Sequence, residues 1–325
     1  MYKILLISDT HGQIDLINER ASETKADFVI HAGDFGFYDD ESRLNPRELH
    51  LLIKHSAVAG KYPNSKDMDR EELATVVRNE KLLGDFPNYL AGQKRFDLPV
   101  YAVWGNHEDV KVLRDLERGL TVPNLHVLDE NHTFEFQDDD TFAFSLFGLG
   151  GNFLVKRLFD RPIAGDAGKV WATLHQFGVL YKKVMRNKIP SIFVSHVSPG
   201  KEPLLTSLVA HLLPSFWFSG HMGPPFTCVW NQFTIRKPDD VKNWLQSELA
   251  EIEQHAKFRK LSEEAALALE LIKHPPESDR WFRNLWNINL PDAKDGHAVL
   301  TVDKGRFSLE TYSRGIILQK PESSS

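Results

Sequence analysis

Five short polar clusters in this chain combine carboxylate, amide and imidazole side chains, which are the donors that bind divalent metal ions. In chain order the clusters are Asp9-Thr10-His11, Gly33-Asp34, Gly105-Asn106-His107-Glu108, Ser195-His196 and Gly220-His221-Met222-Gly223. Hard oxygen donors mixed with imidazoles favour Mn²⁺, Fe or Zn²⁺ over Cu(I), whereas Mg²⁺ or Ca²⁺ would prefer fewer imidazoles. The clusters therefore predict a metal centre if the fold brings them together.

Spacing within the first two clusters indicates how ions would be held. Asp9 and His11 are separated by one residue, so at an extended strand end both side chains lie on the same side and can reach one ion. Asp34 follows a glycine, which lets the backbone turn close to a metal. Because a carboxylate has two oxygens with which to bridge two ions, we expect Asp34 to be the bridging ligand.

The apolar runs before these clusters predict the strands of a parallel sheet. Residues 2–8, 28–30, 100–104 and 192–194 are short and almost wholly apolar, which is typical of strands buried on both faces. A crossover helix over residues 13–25 would join the first two strands into a βαβ unit. The polar clusters stand just beyond the strand ends, where α/β sheets place their active sites.

Long helical segments between these strands predict insertions into a single domain that spans residues 1–325. We expect helical insertions near 37–97, 151–190 and 237–283, and a C-terminal β-hairpin over 297–312. The clearest helical patterns cover residues 46–55, 69–83 and 239–273. The first insertion would form a cap beside the site.

The second insertion combines an apolar stripe with local positive charge. Apolar side chains recur at helical spacing from Val170 to Val184, which predicts one buried helix face. Eight basic residues against Asp160 and Asp166 give this segment a net charge of +6. The eight are Lys156, Arg157, Arg161, Lys169, Lys182, Lys183, Arg186 and Lys188. They form either an ordinary solvated surface or a path for a phosphate-rich substrate.

The composition excludes several classes of protein. Among 325 residues, 39 basic and 45 acidic side chains give a net charge of −6, so no overall positive field attracts nucleic acid or an anionic membrane. The single cysteine, Cys228, rules out an intramolecular disulfide and a cysteine-based zinc module. The first apolar run, Ile4 to Ile7, is too short for a signal peptide, and no run approaches the length of a membrane span. We expect a cytoplasmic protein without a membrane partner.

The five clusters, in this order, resemble the motifs of the calcineurin-like metallophosphoesterase superfamily. Its pattern is Asp-x-His, Gly-Asp, Gly-Asn-His-Asp/Glu, a lone His after a strand, and Gly-His-x-His. The resemblance covers residues 1 to about 230 and returns in the C-terminal hairpin. It implies an α/β fold, a four-layer αββα sandwich, with two divalent ions, Mn, Fe or Zn. It also implies a hydrolase of phosphoesters that activates water for in-line attack on phosphorus.

The same resemblance assigns roles to individual residues. The implied metal ligands are Asp9 and His11 for the first ion, Asp34 as the bridge, and Asn106, His196 and His221 for the second ion. His107 would not bind metal. It would contact the scissile phosphate and either protonate the leaving oxygen or steady the developing charge.

One position departs from the superfamily pattern. Gly223 stands where the second histidine of the final motif normally completes the first metal site. That site would then be completed by water, or by a residue from elsewhere such as His31 or Cys228, or it would be weakly occupied. We favour water or weak occupancy, because nothing in the spacing indicates a replacement side chain.

Two branches of the superfamily can be compared with this chain. Serine/threonine protein phosphatases have Asp-x-x-Asp-Arg-Gly at the bridging aspartate, and residues 34–39 lack that arginine. The RNA lariat debranching enzyme group is more similar. Its Pro-Asn-Leu/Ile, Gly-rich and Trp-Phe segments resemble residues 122–126, 147–151 and 216–221. The chain differs from that group in having Asp9 instead of Cys and Gly223 instead of the final His.

The debranching resemblance and the basic insertion favour a phosphodiester over a phosphomonoester. Two alternatives stay open. One is a scaffold or binding protein that has kept the fold and lost catalysis, with Gly223 as the first sign of that loss. The other is a nuclease or RNA-processing enzyme, with nucleic acid as its partner. The sequence indicates neither the substrate-binding residues nor any protein partner.

Other histidines, and the cysteine, have simpler interpretations. His31 lies on a buried strand and is interpreted as a core histidine. Cys228 is interpreted as a small core residue. Three further histidines have no cluster around them and are interpreted as structural or exposed, namely His126, His132 and His175.

Two further segments predict local structure without chemistry. Asp138-Asp139-Asp140 predicts the turn of a hairpin between residues 133–136 and 142–147, not a metal cluster. Residues 321–325 predict a disordered end.

Overall fold

Two six-stranded β-sheets flanked by helices form the architecture of the protein. The computed structural model describes residues 1–138, 142–166, 168–199, 201–221, 223, 225–230, 238–274 and 285–315. Within these ranges the strands are β1 (Tyr2–Ile7), β2 (Phe28–Ala32), β3 (Val100–Val103), β4 (Leu125–Val127), β5 (Phe134–Gln137), β6 (Ala143–Leu149), β7 (Ala164–Asp166), β8 (Lys169–Trp171), β9 (Ser191–Ser195), β10 (Phe216–Ser219), β11 (Cys228–Trp230), β12 (Trp286–Asn289), β13 (Gly296–Asp303) and β14 (Arg306–Ser313). The helices are α1 (Asp15–Thr24), α2 (Pro46–His55), α3 (Arg70–Asn79), α4 (Phe86–Leu90), α5 (Val110–Glu117), α6 (Leu174–Val184), α7 (Pro203–Val209), α8 (Pro238–Ala256) and α9 (Glu263–Lys273).

The first sheet has the strand order β14-β13-β1-β2-β3-β4. β1 to β4 run parallel, because α1 crosses over between β1 and β2 as predicted. β13 lies antiparallel to β1, with Leu6 opposite Ala298. The strands predicted over residues 2–8, 28–30 and 100–104 are confirmed, and the predicted C-terminal hairpin is β13–β14.

The second sheet has the strand order β11-β12-β10-β9-β6-β5. Its four central strands run parallel, and the edge strands β5 and β11 are antiparallel to their neighbours. The strand predicted over residues 192–194 is β9, and the hairpin predicted after residue 133 is β5–β6. The C-terminal segment completes both sheets, because β12 pairs with β10 while β13 pairs with β1.

Three apolar cores separate four layers. Side chains from both sheets, such as Leu6 and Phe218, meet in the central core. The outer face of the first sheet packs on α1, α4 and α5, with Ile17 of α1 among the contacts. The outer face of the second sheet packs on α6, α7 and α9, with Leu180 of α6 among the contacts. This arrangement is the four-layer αββα sandwich that the resemblance implied.

A helical cap forms a fourth apolar cluster. Leu49 and Ile53 of α2 pack with Leu73 and Val77 of α3. The Asn45 side chain accepts a hydrogen bond from the Glu48 N–H at 3.0 Å and so caps α2 at the residue where the sequence predicted a helix start. The helix predicted over residues 69–83 ends earlier, at Asn79.

The helix predicted from Val170 begins later than its apolar stripe. Val170 lies in β8, which pairs with β7, and α6 begins at Leu174. Thr173 forms a capping box there, because its hydroxyl accepts the Gln176 N–H while the Gln176 side chain accepts the Thr173 N–H. This local start signal outweighs the helical spacing of the residues before it.

The interpretation of Cys228 as a core residue is wrong. Its side chain is exposed, because β11 is an edge strand of the second sheet. Predictions for Asp139 and Asp140, for residues 275–283 and for residues 321–325 fall outside the described residues. The single domain with three insertions stays a proposal. No helix in the described ranges has both the length and the apolar character needed to cross a bilayer.

Candidate metal centre

The six predicted ligands lie together, although they come from distant parts of the chain. Each follows the carboxyl end of β1, β2, β3, β9 or β10. Two sets of donor atoms form, each with all its atoms within 4.8 Å of one another. One set is Asp9, His11 and Asp34, and the other is Asp34, His196 and His221. Asp34 belongs to both sets, which is the placement required of a bridging ligand.

The second set is centred on a buried imidazole, and Asn106 lies beside it. His196 Nε2 lies 3.0 Å from Asn106 Oδ1, 3.1 Å from His221 Nδ1 and 3.4 Å from Asp34 Oδ2. His196 Nδ1 donates its proton to the Ala32 carbonyl at 2.9 Å. This hydrogen bond fixes the ring, so that Nε2 faces the other donors, as it would in a metal-binding histidine.

The electrostatics of these donors fit a cation. Burial would raise the pKa of Asp34, but the facing His196 holds it well below its usual range. Burial would lower the pKa of His196, but the Asp34 charge raises it to about 9. The pKa of His221 is lowered to about 3, first by burial and then by the neighbouring His196. The Asp34 carboxylate favours positive charge beside it, but His196 and His221 are too close for both rings to be protonated. A divalent ion held by these donors would supply that charge.

The first set is more open and is built on a turn. His11 Nε2 lies 3.9 Å from Asp9 Oδ1 and 3.9 Å from Asp34 Oδ2. Ser8 donates to Asp9 Oδ2 at 2.5 Å, and the His221 N–H donates to the same oxygen at 3.0 Å. These bonds orient the Asp9 carboxylate, while the His11 side chain is 42% exposed and can reorient on binding an ion.

Asp9 and His11 lie close together as predicted, but the predicted cause, an extended strand end, is wrong. Their φ angles are 53° and 46°, so both lie in the left-handed region and not in an extended strand. Asp34 and His221 also have positive φ, at 48° and 60°. Residues held in this region cost conformational energy and persist at functional sites where surrounding contacts enforce them.

Two glycines permit the close approach of these loops. A Cβ on Gly105 would lie 1.9 Å from Asp34 Oδ1. A Cβ on Gly33 would lie 2.6 Å from His196 Nδ1. Both distances are far below van der Waals contact, so glycine is required at each position for the ligands to meet.

His107 lies beside the donor sets and is held by Glu48, a residue that the sequence reasoning missed. His107 Nδ1 donates to Glu48 Oε2 at 2.5 Å, and the His107 N–H donates to Asp34 Oδ1 at 2.9 Å. Burial would lower the pKa of His107, but the Glu48 hydrogen bond and the Asp34 charge raise it. Glu48 is buried, and Lys169 Nζ lies 3.3 Å from its other oxygen. In sequence Glu48 has the pattern of an ordinary first-turn glutamate.

Glu108 also received no role from the sequence. Its buried carboxylate accepts the N–H groups of Phe35 and Phe37 at 2.7 Å each, and those of Gly36 at 3.1 Å and Gly105 at 3.2 Å. These four bonds tie the loop after Asp34 to the loop that carries Asn106. Burial and the Asp34 charge raise the pKa of Glu108 to about 7, against these donors.

Gly223 leaves the first site without the histidine of the superfamily motif, and nearby residues differ in whether they could replace it. His31 is fully buried, with Nε2 at 3.0 Å from Thr10 Oγ1 and Nδ1 accepting the Gly33 N–H at 3.2 Å, so it is a core histidine. Cys228 belongs to neither donor set. Asp292, which the sequence reasoning missed, lines the same cavity as Asp9 and Gly223. Burial and then the Asp9 charge raise the pKa of Asp292, which indicates that the two carboxylates interact.

A cavity of about 520 Å³ opens onto several of the predicted ligands. Asp9, His11, Asp34, His107 and His221 line one part of it. Within the described parts of the chain, none of the eight basic residues of the second insertion lines this cavity. Several are paired elsewhere, as Lys182 is with acidic residues of α9.

His126, His132 and His175 agree with their interpretation as structural or exposed histidines. The His126 ring stacks on Tyr101. His132 Nδ1 lies 2.8 Å from Asp129 Oδ1, and His175 Nδ1 lies 2.8 Å from Ser262 Oγ.

Comparison with known families assigns most of the chain. A family model described as "Calcineurin-like phosphoesterase" matches residues 2–225. A second model, described as "Protein of unknown function (DUF2433)", matches residues 227–320. No curated protein matches the chain in sequence.

Solved structures show distant likeness. The protein TT1561 of Thermus thermophilus is 13% identical with a TM-score of 0.46, and the alignment covers 96% of this chain and 98% of that one. The NAD nucleotidase NadN of Haemophilus influenzae is 12% identical with a TM-score of 0.41, covering 96% and 56%. The 5'-nucleotidase of Candida albicans is 9% identical with a TM-score of 0.40, covering 96% and 52%. This chain thus spans about half the length of the two nucleotidases.

Proposed function

The chain belongs to the calcineurin-like phosphoesterase family, and from this premise we propose that it hydrolyses phosphoesters at a centre of two divalent ions. The proposal is supported chiefly by Asp34, which belongs to both compact donor sets. We propose Mn, Fe or Zn as the ions, because the donors are carboxylate, amide and imidazole groups. The proposed ligands are Asp9, His11, Asp34, Asn106, His196 and His221.

Bound ions would polarise a phosphoryl oxygen and lower the pKa of a water molecule. The chain supports this chemistry by fixing its donors before any ion arrives. The Ala32 carbonyl orients His196, and Ser8 orients Asp9. The Glu108 carboxylate joins the two loops that carry Asp34 and Asn106. Each of these contacts reduces the rearrangement needed for binding.

We propose that His107 donates a proton to the leaving oxygen. Because Nδ1 is bonded to Glu48, Nε2 is the nitrogen available to a substrate in the cavity that His107 lines. The raised pKa of His107 favours the protonated ring, which is the form a general acid needs. Glu48 acts through His107, as a positioning residue.

The preference for a phosphodiester stays a proposal and depends on the resemblance to lariat debranching enzymes. The basic insertion gives it little support, because within the described chain none of its eight basic residues lines the cavity. Lys169 comes nearest, and its Nζ is paired at 3.3 Å with Glu48. A cavity of about 520 Å³ has the size of a small-molecule site, which favours a small ester over a folded nucleic acid.

The test combines metal counting with turnover. The full chain is loaded with Mn²⁺, freed of excess metal, and measured for bound metal and for hydrolysis of bis(p-nitrophenyl) phosphate and p-nitrophenyl phosphate. We expect close to two ions per chain and measurable hydrolysis. Asp34→Asn should lose metal and turnover. His107→Ala should keep metal and lose turnover of an alkyl ester such as methyl phosphate, with only a small loss for the p-nitrophenyl esters, because p-nitrophenolate leaves with little help.

His126→Ala serves as the control, because His126 stacks on Tyr101, belongs to neither donor set and should leave both readings normal. A chain that binds one ion or none and hydrolyses neither ester would favour the scaffold alternative. Normal turnover of the alkyl ester in His107→Ala would refute the proton-donor role alone.

A further inference from the structure

The cavity beside the metal centre has a second, apolar half. Leu16, Leu51, Leu52, Ala57 and Leu82 line it, together with Gln13, Ser56 and Lys81. The four leucines are partly exposed, so their side chains are available to a ligand. The proposed hydrolysis of a phosphoester does not by itself require an apolar surface in this half of the cavity.

This apolar wall is rigidly supported. Leu52 and Leu82 pack against the cap cluster of α2 and α3, and Leu16 packs against the core beneath the first sheet. A wall backed by close-packed side chains keeps its shape and gains little from collapsing on itself. It is therefore preorganised for binding an apolar group.

Backbone contacts set the distance between the wall and the metal-binding loop. The Asp85 N–H donates to the Gly12 carbonyl at 3.0 Å. A Cβ on Gly84 would lie 2.4 Å from Gly12 Cα, so the two chain segments touch backbone to backbone. Gly12 directly follows His11, and Gly84 shortly follows Leu82. The leucine wall and the metal ligands are thus parts of one fixed cavity.

The cap helix α2 carries both the residue that positions His107 and part of the apolar wall. Glu48, Leu51 and Leu52 are spaced i, i+3 and i+4, so they lie on one face of α2. Glu48 holds His107 from this face. A leaving group that takes its proton from His107 would therefore direct its organic part toward the leucines of the same face.

We propose that the apolar half of the cavity binds the leaving group, and that the preferred substrates are phosphoesters of small apolar alcohols or phenols. This inference rests on the proposed function, because it takes the phosphoryl group to lie at the metal centre. The cavity volume of about 520 Å³ accommodates a phosphoryl group with one ring or a short alkyl chain.

The binding test uses n-alkylphosphonates from methyl to hexyl, which cannot be hydrolysed at their P–C bond. Binding to the Mn²⁺-loaded full chain is measured by titration calorimetry. We expect the Kd to fall by up to about fourfold for each added methylene until the cavity is full. Lengthening the chain changes the apolar area without changing the charged group, so the slope reports on the wall alone.

Matched variants locate the effect. Leu52→Asn, which is similar in size but polar, should flatten the dependence on chain length, and Leu51→Asn provides a second variant should the first fold poorly. Leu120→Asn is the control, because Leu120 is 42% exposed and does not line the cavity. It should keep the wild-type slope.

A parallel assay with methyl and hexyl phosphate esters separates the inference from the proposed function. Equal affinities for methylphosphonate and hexylphosphonate in the wild-type chain would overturn the inference. Hydrolysis of both esters at equal kcat/KM would also overturn it, while the phosphoesterase proposal would stand. Affinity that rises with chain length without hydrolysis of any ester would support the apolar site and refute the proposed reaction.

Discussion

The contact between Glu48 and His107 allows a sharp test of the proposed proton transfer. Glu48→Gln keeps the size of the side chain and removes its charge. The 2.5 Å hydrogen bond from His107 Nδ1 would lose its charge-assisted character at a buried position. Hydrogen bonds to charged groups contribute about 1.5–3 kcal/mol. If the bond stabilises the protonated ring, kcat should fall about tenfold to a hundredfold.

The assay compares leaving groups in the Mn²⁺-loaded chain. A poor leaving group, such as an alkoxide, needs protonation, whereas p-nitrophenolate leaves with little help. The loss in kcat should therefore be large for an alkyl ester and small for a p-nitrophenyl ester. Bound metal should not change, because Glu48 belongs to neither donor set.

Glu72→Gln is a matched control for this variant. Glu72 occupies the same third position of a capped helix in α3, but it is exposed and bonds to the Asp69 N–H instead of a histidine. An equal loss for both kinds of leaving group, or a loss of metal, would refute the reasoning and indicate that Glu48 only supports the cap.

Three further predictions concern the first metal site and the dependence of stability on pH. Gly223→His should strengthen metal binding at the first site up to about tenfold in a calorimetric titration, because the added imidazole restores the motif and its Cβ meets no atom within 4 Å, while the positive φ of 66° strains a non-glycine residue and reduces the gain. Asp292→Asn should weaken binding at that site severalfold in the same titration, whereas Asp295→Asn, three residues away, should not. Glu130→Gln should stabilise the chain at pH 8 but little at pH 5, as urea unfolding at the two pH values would measure. Burial raises the pKa of Glu130 from 4.5 to about 7, so the wild-type chain loses at most about 3 kcal/mol as pH rises through that interval, and the neutral variant avoids this loss. A difference in unfolding free energy between variant and wild type that is the same at pH 5 and pH 8 would contradict this assignment.

The fold was largely predictable because its signals are local. The apolar runs of β1, β2, β3 and β9 are typical of strands buried on both faces, and each ends at a polar cluster. The helix predicted over residues 46–55 is confirmed as α2, which begins at Pro46 after its capping residue Asn45. Prediction failed at Val170 because an apolar stripe does not indicate where a capping box will begin a helix.

The ligand set could be proposed from motif order, but the reason for its geometry could not. Asp9 and His11 meet because both have left-handed backbone conformations. Such a conformation depends on contacts across the loops, for example the Asp9 N–H to the Gly33 carbonyl at 2.9 Å. The sequence around Asp9 alone carries no sign of these contacts.

The types and order of the proposed ligands, the apolar strands and the chain's family are properties of the sequence alone, since short-range patterns encode them. Only the tertiary structure decided that Glu48 holds His107, that Asp292 lines the same cavity as Asp9, and that leucines of the cap form a wall beside them. These partners are far apart along the chain and are ordinary in composition. Their roles arise from packing, which brings distant segments to one place and leaves no mark in the local sequence.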